Sequence, residues 1–164
     1  MSDKITLKGV KMEDFVQYKK PCMFLITNVC DWKCCYEYNF DLSICQNSSL
    51  VNTPSKDFSY ETIYKAYTKN DITSSLVIGG LEPFLQFEEI YGLILYMRSN
   101  GMEDDIVIYT GYYLEEIEGY INLLKQIPNI AIKVGRYIPN KPSRYDEILG
   151  ITLASDNQYG VLLS

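Results

Sequence analysis

The five cysteines of the 164-residue chain are its most reactive side chains, and all of them lie before residue 46. Four of them occur in one polar stretch, as Cys30-Asp-Trp-Lys-Cys34-Cys35 and Cys45. Three thiolates that converge from one loop can bind a soft metal or an iron–sulfur cluster. A structural zinc site usually takes four ligands in paired short spacings, which this stretch lacks. The pattern therefore favours a [4Fe–4S] cluster with one open iron.

The chain has no histidine, which excludes several kinds of catalytic and metal site. Ser-His-Asp and Cys-His catalysis and His-ligated zinc or haem all need an imidazole. Cys22 begins the apolar segment before the cysteine-rich stretch and would lie roughly 26 Å from Cys30 along an extended strand. We therefore predict that Cys22 is a small buried core residue and not a ligand.

Charge and hydropathy restrict the partners and the compartment. The 15 basic and 21 acidic side chains give a net charge of −6, which provides no general attraction to nucleic acid or an anionic membrane. No segment reaches the roughly 18 consecutive apolar residues of a membrane span. Residues 1–9 have neither the apolar run nor the cleavage site of a signal peptide. We predict a cytoplasmic protein, because clustered cysteines in a reducing compartment more often serve metal or redox chemistry than cross-links.

Alternating strand and helix patterns must position the cysteines. Strands are predicted over 22–29, 75–78, 105–109 and 130–134, with a weaker one over 159–163. Helices are predicted over 60–69, 87–99 and 114–127, and a long irregular loop over 31–58. This order is typical of βαβ units, and there are too few for a closed eight-stranded barrel. The predicted fold class is α/β, an open partial (βα) barrel of about five to six mostly parallel strands, in a single domain over 1–164.

Three loops follow the predicted parallel strands. The first carries the cysteines over 27–45, the second is the turn over 79–83, and the third covers 109–111. In parallel α/β sheets the ligand site lies at the carboxyl ends of the strands. We therefore expect the cysteines and both turns to share one edge of the sheet.

Five motifs lie on or beside these loops and on the segments that follow them. They are Cys30-x3-Cys34 with Cys45-Gln46-Asn47, Gly79-Gly-Leu-Glu-Pro83, Ile108-Tyr-Thr-Gly-Tyr112, Val134-Gly-Arg-Tyr-Ile138 and Ser155-Asp-Asn-Gln158. In this order they resemble motifs of the radical S-adenosylmethionine (SAM) enzymes, and most closely those of the activating enzymes of anaerobic (class III) ribonucleotide reductase. The resemblance covers roughly residues 20–160.

The chain departs from the family's usual pattern at two of these motifs. The family motif C-x3-C-x2-C would place its third cysteine where Glu37 stands, and Cys45 resembles that cysteine displaced by eight residues. Cys35 is an alternative second ligand, which would make the spacing C-x4-C-x9-C. The turn that resembles G-G-E-P carries one extra residue, Leu81. The second ligand and the target of the enzyme therefore stay open.

The resemblance implies two cofactors and the residues that hold them. A [4Fe–4S] cluster would be bound by Cys30, Cys34 and Cys45 in a cluster loop over 30–47. SAM would chelate the open iron. The residues expected to contact SAM are Gly79, Gly80, Glu82, Thr110, Gly111 and Asn157. Because cluster and SAM would supply the chemistry, no catalytic residue beyond them is expected.

The implied activity is reductive cleavage of SAM with formation of a glycyl radical on anaerobic ribonucleoside-triphosphate reductase. The expected partners are that reductase or another glycyl-radical protein, and an electron donor such as flavodoxin. A radical SAM enzyme acting on a small molecule or peptide is one alternative. A non-catalytic zinc-binding interaction module is the second.

Overall fold

The computed structural model describes residues 3–45 and 47–164. Three residues of the predicted single domain over 1–164, namely Met1, Ser2 and Gln46, lie outside the described residues. The predicted cluster loop over 30–47 and its Cys45-Gln46-Asn47 motif are therefore described except at Gln46.

The described residues form nine strands and four α-helices. The strands are β1 (Lys4–Asp14), β2 (Cys22–Thr27), β3 (Lys56–Ser59), β4 (Ser75–Gly79), β5 (Asp105–Tyr109), β6 (Ile130–Val134), β7 (Arg144–Asp146), β8 (Ile151–Leu153) and β9 (Tyr159–Leu162). The helices are α1 (Lys33–Tyr36), α2 (Tyr60–Lys69), α3 (Phe87–Ser99) and α4 (Glu118–Leu124). Seven strands form one sheet in the order β3-β1-β2-β4-β5-β6-β9, and β7 and β8 form a separate pair.

The large sheet is mixed, so the predicted open partial (βα) barrel of mostly parallel strands is wrong. The neighbours β2, β4, β5 and β6 run parallel, as predicted. Strand β1 pairs antiparallel with both β2 and β3, and β9 pairs antiparallel with β6. The prediction assigned no strand to the first residues, although Ile5 and Leu7 alternate with polar residues and are fully buried. Their apolar side chains complete the core, and this burial adds two strands beside β2.

The four central strands are short aliphatic runs because both of their faces are buried. Every residue of β4 is buried. The strands predicted over 75–78, 105–109 and 130–134 are confirmed to within one residue, and the one over 22–29 ends two residues early. Part of the predicted irregular loop over 31–58 is ordered as α1, two 3-10 turns and β3.

The helices follow their sequence patterns closely. The Ser59 side chain accepts a hydrogen bond from the Thr62 N–H at 3.1 Å and so begins α2. The apolar residues of α3 that recur at helical spacing are buried, namely Ile90, Leu93, Ile94 and Met97. The third predicted helix, over 114–127, is split into a 3-10 turn over Leu114–Glu116 and the shorter α4. In the described part of the chain, no helix combines the length and the apolar character needed to cross a membrane.

The two faces of the sheet carry different side chains. One face, here called the helix face, packs long aliphatic side chains against α2, α3 and α4. The other, here called the cavity face, carries the smaller residues Cys22, Val77, Val107 and Ala131. Tyr18 from the connection before β2, Leu149 between β7 and β8, and Leu153 at the end of β8 cover part of this second face. The smaller side chains leave room for a cavity where the parallel strands end.

Candidate iron–sulfur site

A cavity of about 530 Å³ opens at the carboxyl ends of the parallel strands. Four cysteines line it, namely Cys30, Cys34, Cys35 and Cys45. The predicted contacts Gly80, Glu82, Thr110 and Gly111 line the same cavity. Its volume lies within the range of about 300–1,000 Å³ that is typical of small-molecule and cofactor sites. The structure therefore brings together the three loops that the sequence predicts at this edge.

The cluster loop is folded by local hydrogen bonds that turn its cysteines toward the cavity. Trp32 adopts a left-handed backbone conformation with φ of 59° directly before α1, and its N–H donates to the Cys30 Sγ at 3.3 Å. Helix α1 carries Cys34 and Cys35 at adjacent positions. The Asp41 side chain accepts the Ser43 N–H at 2.9 Å and begins the 3-10 turn that leads to Cys45.

Burial and nearby backbone donors define the chemical state of the thiols. Burial raises the pKa of Cys30 to about 12 and also raises the pKa of Cys34. Backbone N–H groups of Trp32 and Tyr137 point at the Cys30 and Cys34 sulfurs and oppose this increase. Thiols must lose a proton to bind a metal, so N–H donors at the sulfur atoms stabilise the ligating form.

Gly111 leaves space beside the Cys34 sulfur. A Cβ atom at Gly111 would lie 2.9 Å from the Cys34 Sγ and 3.7 Å from the Glu82 Oε2. Real side chains do not tolerate the first distance, so any larger residue would displace the thiol. This cradle, together with soft donors that line one cavity, fits an iron–sulfur cluster.

Cys22 and Cys35 differ from the other cysteines. Cys22 is fully buried at the amino end of β2, among the core residues of the cavity face, which confirms its predicted place in the core. Cys35 is 2% exposed, and the Cys45 N–H points at its sulfur. Cys30, Cys34 and Cys45 are all partly exposed. The greater exposure of Cys34 and its position beside the open space at Gly111 therefore favour it over Cys35 as the second ligand.

The turn after β4 is held by a buried hydroxyl. The Thr27 Oγ1 donates to the Gly79 carbonyl at 2.8 Å and accepts the Leu81 N–H at 3.0 Å. Gly80 adopts a φ of +95°, and a Cβ there would lie 2.8 Å from the Ile26 side chain. Gly80 lines the cavity, whereas Gly79 is not among the described lining residues.

Glu82 connects the second and third loops. Its Oε1 accepts the Thr110 hydroxyl at 2.8 Å and the Phe84 N–H at 3.0 Å, and its Oε2 accepts the Gly111 N–H at 2.9 Å. The side chain is 5% exposed, and burial raises its pKa to about 7 against the lowering effect of these donors. The carboxylate therefore fixes the geometry of the two turns that the sequence predicts at the SAM site.

The family of the chain follows from a comparison with protein-family models. Residues 20–157 match the model of the 4Fe-4S single cluster domain. The chain belongs to the 4Fe-4S single cluster domain family. The iron–sulfur cofactor predicted from the cysteines is therefore supported. No curated protein matches the chain in a sequence comparison. In the described residues, no group of three Cys, Asp or Glu side chains is placed to hold a single metal ion.

Asn157 lies beside the cavity of this 4Fe-4S domain and is not among the described lining residues. Its Nδ2 donates to the Arg136 carbonyl at 2.7 Å and to the Tyr113 hydroxyl at 2.9 Å. The neighbouring Gln158 lines the cavity, donates to the Gly135 carbonyl at 3.3 Å and accepts the Ser155 N–H at 3.2 Å. The predicted contact of Asn157 with SAM stays a prediction.

A chain of ion pairs fastens the cluster loop of the 4Fe-4S domain to the opposite side of the cavity. Arg136 is 3% exposed, and its Nη2 donates to Glu116 at 2.7 Å. The Arg136 Nε lies 2.7 Å from the Glu37 Oε2, so the two side chains form an ion pair. The angle between them does not allow a hydrogen bond. Lys33 also pairs with Glu116. The Arg136 hydrogen bond is the main cause that lowers the pKa of Glu116 to about 2.

Several lining residues of the 4Fe-4S domain were not predicted, and Lys133 is the most informative. It lies on β6 in the run Ile-Ala-Ile-Lys-Val, and burial lowers its pKa to about 8. One charged residue inside an aliphatic strand is the signal that would have identified it. Phe24, Gly135 and Tyr137 also line the cavity without having been assigned a role, whereas Tyr109 belongs to the predicted third loop.

Proposed function

We propose that the chain is a radical SAM enzyme that activates anaerobic ribonucleotide reductase by forming a glycyl radical on it. One observation carries the radical SAM part. The thiols of Cys30, Cys34 and Cys45 line the same cavity as the Gly80 turn, the Glu82 carboxylate and the Thr110–Gly111 backbone. A cluster and a chelating small molecule would need these two sets of groups side by side.

In this proposal Cys30, Cys34 and Cys45 hold the cluster, and Gly111 keeps the space beside Cys34 open. When bound, the reduced cluster supplies one electron for the cleavage of SAM. Phe40, Leu81 and Tyr109 provide apolar and aromatic walls that restrict the access of water. The fourth cysteine, Cys35, is nearly excluded from solvent and serves in packing α1.

The glycine turns and Glu82 bind and orient the amino-acid end of SAM. The absence of a side chain at Gly80 lets a ligand approach the backbone. Two donors already bind the Glu82 Oε1 and one donor binds its Oε2. The second lone pair of Oε2 is therefore the position that remains for the SAM ammonium. Thr110 and Gly111 act through this carboxylate, and Gly79 through the Thr27 hydroxyl. Asn157 positions the segment that carries Gln158.

The mouth of the cavity supports a protein as the substrate. Val16 and Ile44 line the cavity and are 69% and 41% exposed, and Phe15, which precedes Val16 in the chain, is 64% exposed. Exposed apolar side chains grouped at a site entrance are typical of protein contacts. A glycine-bearing loop of the reductase would enter here, and a low-potential donor such as flavodoxin would supply the electron.

Anaerobic reconstitution tests the cofactors. The wild-type chain should bind about four irons, as one [4Fe–4S] cluster, and release methionine and 5′-deoxyadenosine from SAM under a reductant. Cys30→Ala, Cys34→Ala and Cys45→Ala should each lose the SAM cleavage, whereas Cys22→Ala and Cys35→Ala should keep it. Iron loading without any SAM cleavage would contradict the radical SAM function. One zinc per chain with no iron would favour the zinc module.

Incubation with the reductase tests the target. Reduced wild-type enzyme, SAM and an anaerobic reductase that carries a C-terminal glycyl-radical motif should together give a glycyl-radical EPR signal. The Cys34→Ala variant under the same conditions is the control and should give none. SAM cleavage without a radical on the reductase would reject the activase function and leave a radical SAM enzyme for a small molecule or peptide.

A further inference from the structure

Lys133 is placed by strand alternation on the cavity face of the sheet. Along β6 the side chains of Ile130, Ile132 and Val134 pack on the helix face, so Lys133 must point to the other side. Across the sheet it lies opposite Tyr109 on β5 and Gly160 on β9. The place that a side chain would take at Gly160 is occupied by Asp146 and Leu149, since a Cβ atom there would lie 2.6 Å from the Asp146 Oδ1 and 2.8 Å from the Leu149 Cγ.

The ammonium group of Lys133 lacks an ion-pair partner among the described residues. Its Nζ lies 3.5 Å from the Gly135 carbonyl and 5.9 Å from the centre of the Tyr109 ring. Three ionisable groups, Cys34, Glu82 and Cys45, act electrostatically on the Lys133 ammonium and raise its pKa against the effect of burial. Among the described residues that line the cavity, Lys133 is the only cation. A positive charge that is buried without an ion-pair partner is stabilised by a nearby negative charge. Deprotonated cysteines of the same cavity can provide that charge.

We propose that Lys133 is a positioning residue whose positive charge raises the reduction potential of the cluster held by Cys30, Cys34 and Cys45. The proposal rests on the cluster assignment of the proposed function. A cluster with three thiolates is anionic, and it gains one further negative charge when an external low-potential donor gives it one electron. No bond forms or breaks in this step. A nearby cation in a site of low dielectric stabilises the more negative state.

The test is a redox titration of the reconstituted protein at pH 7 without SAM, followed by the EPR signal of the reduced cluster. Lys133→Met removes the charge at similar volume, and Lys133→Arg keeps it. Lys69→Met, at the exposed end of α2, is the remote control. For Lys133→Met we expect the equilibrium constant for reduction of the cluster to fall tenfold. For one electron this corresponds to a reduction potential that is lower by about 59 mV. For Lys133→Arg and Lys69→Met, the equilibrium constant for reduction should remain within threefold of the wild-type value.

Three outcomes overturn the proposal. One is a change of less than threefold in Lys133→Met at full iron and sulfide content. If that variant does not load iron, Lys133→Gln takes its place, and loss of loading in both would make Lys133 a structural requirement instead. A wild-type chain without a cluster would remove this proposal and the proposed function together. A reducible cluster that does not cleave SAM would remove only the proposed function.

Discussion

The two faces of the sheet carry alternate residues of the same strands, yet one face packs against helices and the other borders the cavity. On the helix face, Leu76, Ile78 and Ile108 pack against α2, α3 and α4 without room for a ligand. On the cavity face, Val77, Val107 and Ala131 occupy less volume. Toward the carboxyl ends, that face also carries Tyr109 and Lys133, which line the cavity.

This difference separates stability from ligand binding within one sheet. Substitutions on the helix face should change the free energy of unfolding and leave the cavity intact. Substitutions at the cavity should change cofactor binding while the helix face keeps the chain folded. The four predictions that follow test this separation, beginning with the largest expected effect.

The strongest test on the cavity side is Gly111→Ala. The new Cβ would lie 2.9 Å from the Cys34 Sγ, and the thiol can rotate away more easily than the backbone can move. We expect loss of most of the iron after anaerobic reconstitution, with an unchanged far-UV circular dichroism spectrum. Gly119→Ala is the matched control, because a Cβ there meets no atom within 4 Å. Full iron loading in Gly111→Ala would contradict the inference that the cluster needs the open space between Gly111 and the Cys34 thiol.

On the helix face, Leu93→Ala should have the largest effect on stability. Leu93 is fully buried on α3, and truncation of such a residue costs about 2–5 kcal/mol through lost contacts and a cavity. Chemical denaturation measures the free energy of unfolding. The variant should still load iron in its folded fraction. Selective loss of iron with unchanged stability would reverse the roles of the two faces.

Glu82→Gln tests the carboxylate that joins the two turns. Its pKa in the folded state, about 7, lies above the unfolded value near 4.5, so the folded state binds more protons between these values. The cluster-free wild type should therefore lose up to about 3 kcal/mol of unfolding free energy as the pH rises from 4.5 to above 7. Glu82→Gln should not show this pH-dependent decrease in the free energy of unfolding. Parallel pH profiles for the two proteins would contradict the raised pKa.

The smallest expected effect is that of Arg136→Met. Removal of the guanidinium breaks the contacts to Glu37 and Glu116 and costs about 1.5–3 kcal/mol, the range for hydrogen bonds to charged groups. The lowered pKa of Glu116 stabilises the fold above pH 4.5, and the variant should lose the part of that contribution that Arg136 supplies, while Lys33 and the Tyr113 N–H keep the rest. Faster hydrogen exchange over residues 31–37 would show that the loop has been released.

An exposed ion pair provides the control for Arg136→Met. Lys65 and Glu61 form such a pair on α2, with an Nζ–Oε1 distance of 2.6 Å. Lys65→Met should leave the free energy of unfolding almost unchanged, because solvent screens the pair. Equal effects of the two substitutions would show that burial adds nothing to the Arg136 contacts.

The sequence predicted the central part of the fold well and its edges poorly. Continuous aliphatic runs such as Ile130-Ala-Ile identify buried parallel strands, and a Ser cap with an apolar stripe identifies α2 and α3. Strand β1 has only two fully buried aliphatic residues, and β3 has four residues in a polar region. Both depend on pairing with distant strands, which local patterns do not encode.

The site was predicted to the extent that its residues follow strand ends. The rule for parallel sheets placed Cys30, Gly80 and Thr110 at one cavity because it concerns strand direction alone. Lys133 was not predicted, although the single charge inside the aliphatic run of β6 indicates it, whereas the place of Gln158 in the cavity depends on the return of the chain after β8, which only the three-dimensional structure gives. Gly79 and Asn157 belong to the same motifs, but their polar groups are engaged in local hydrogen bonds.

The pairing of β1 has a consequence for the length of the cluster loop. Thr27 ends β2 and Lys56 begins β3, so these two residues enclose the segment that contains the cluster loop, and both are opposite Leu7 on β1. The sheet therefore holds these ends about 10 Å apart, two strand spacings, whatever the number of residues between them. In polymer terms, the eight residues that displace Cys45 add only about 0.3 kcal/mol of closure entropy. Strand β1 thus lets the third cysteine move along the sequence at almost no energetic cost.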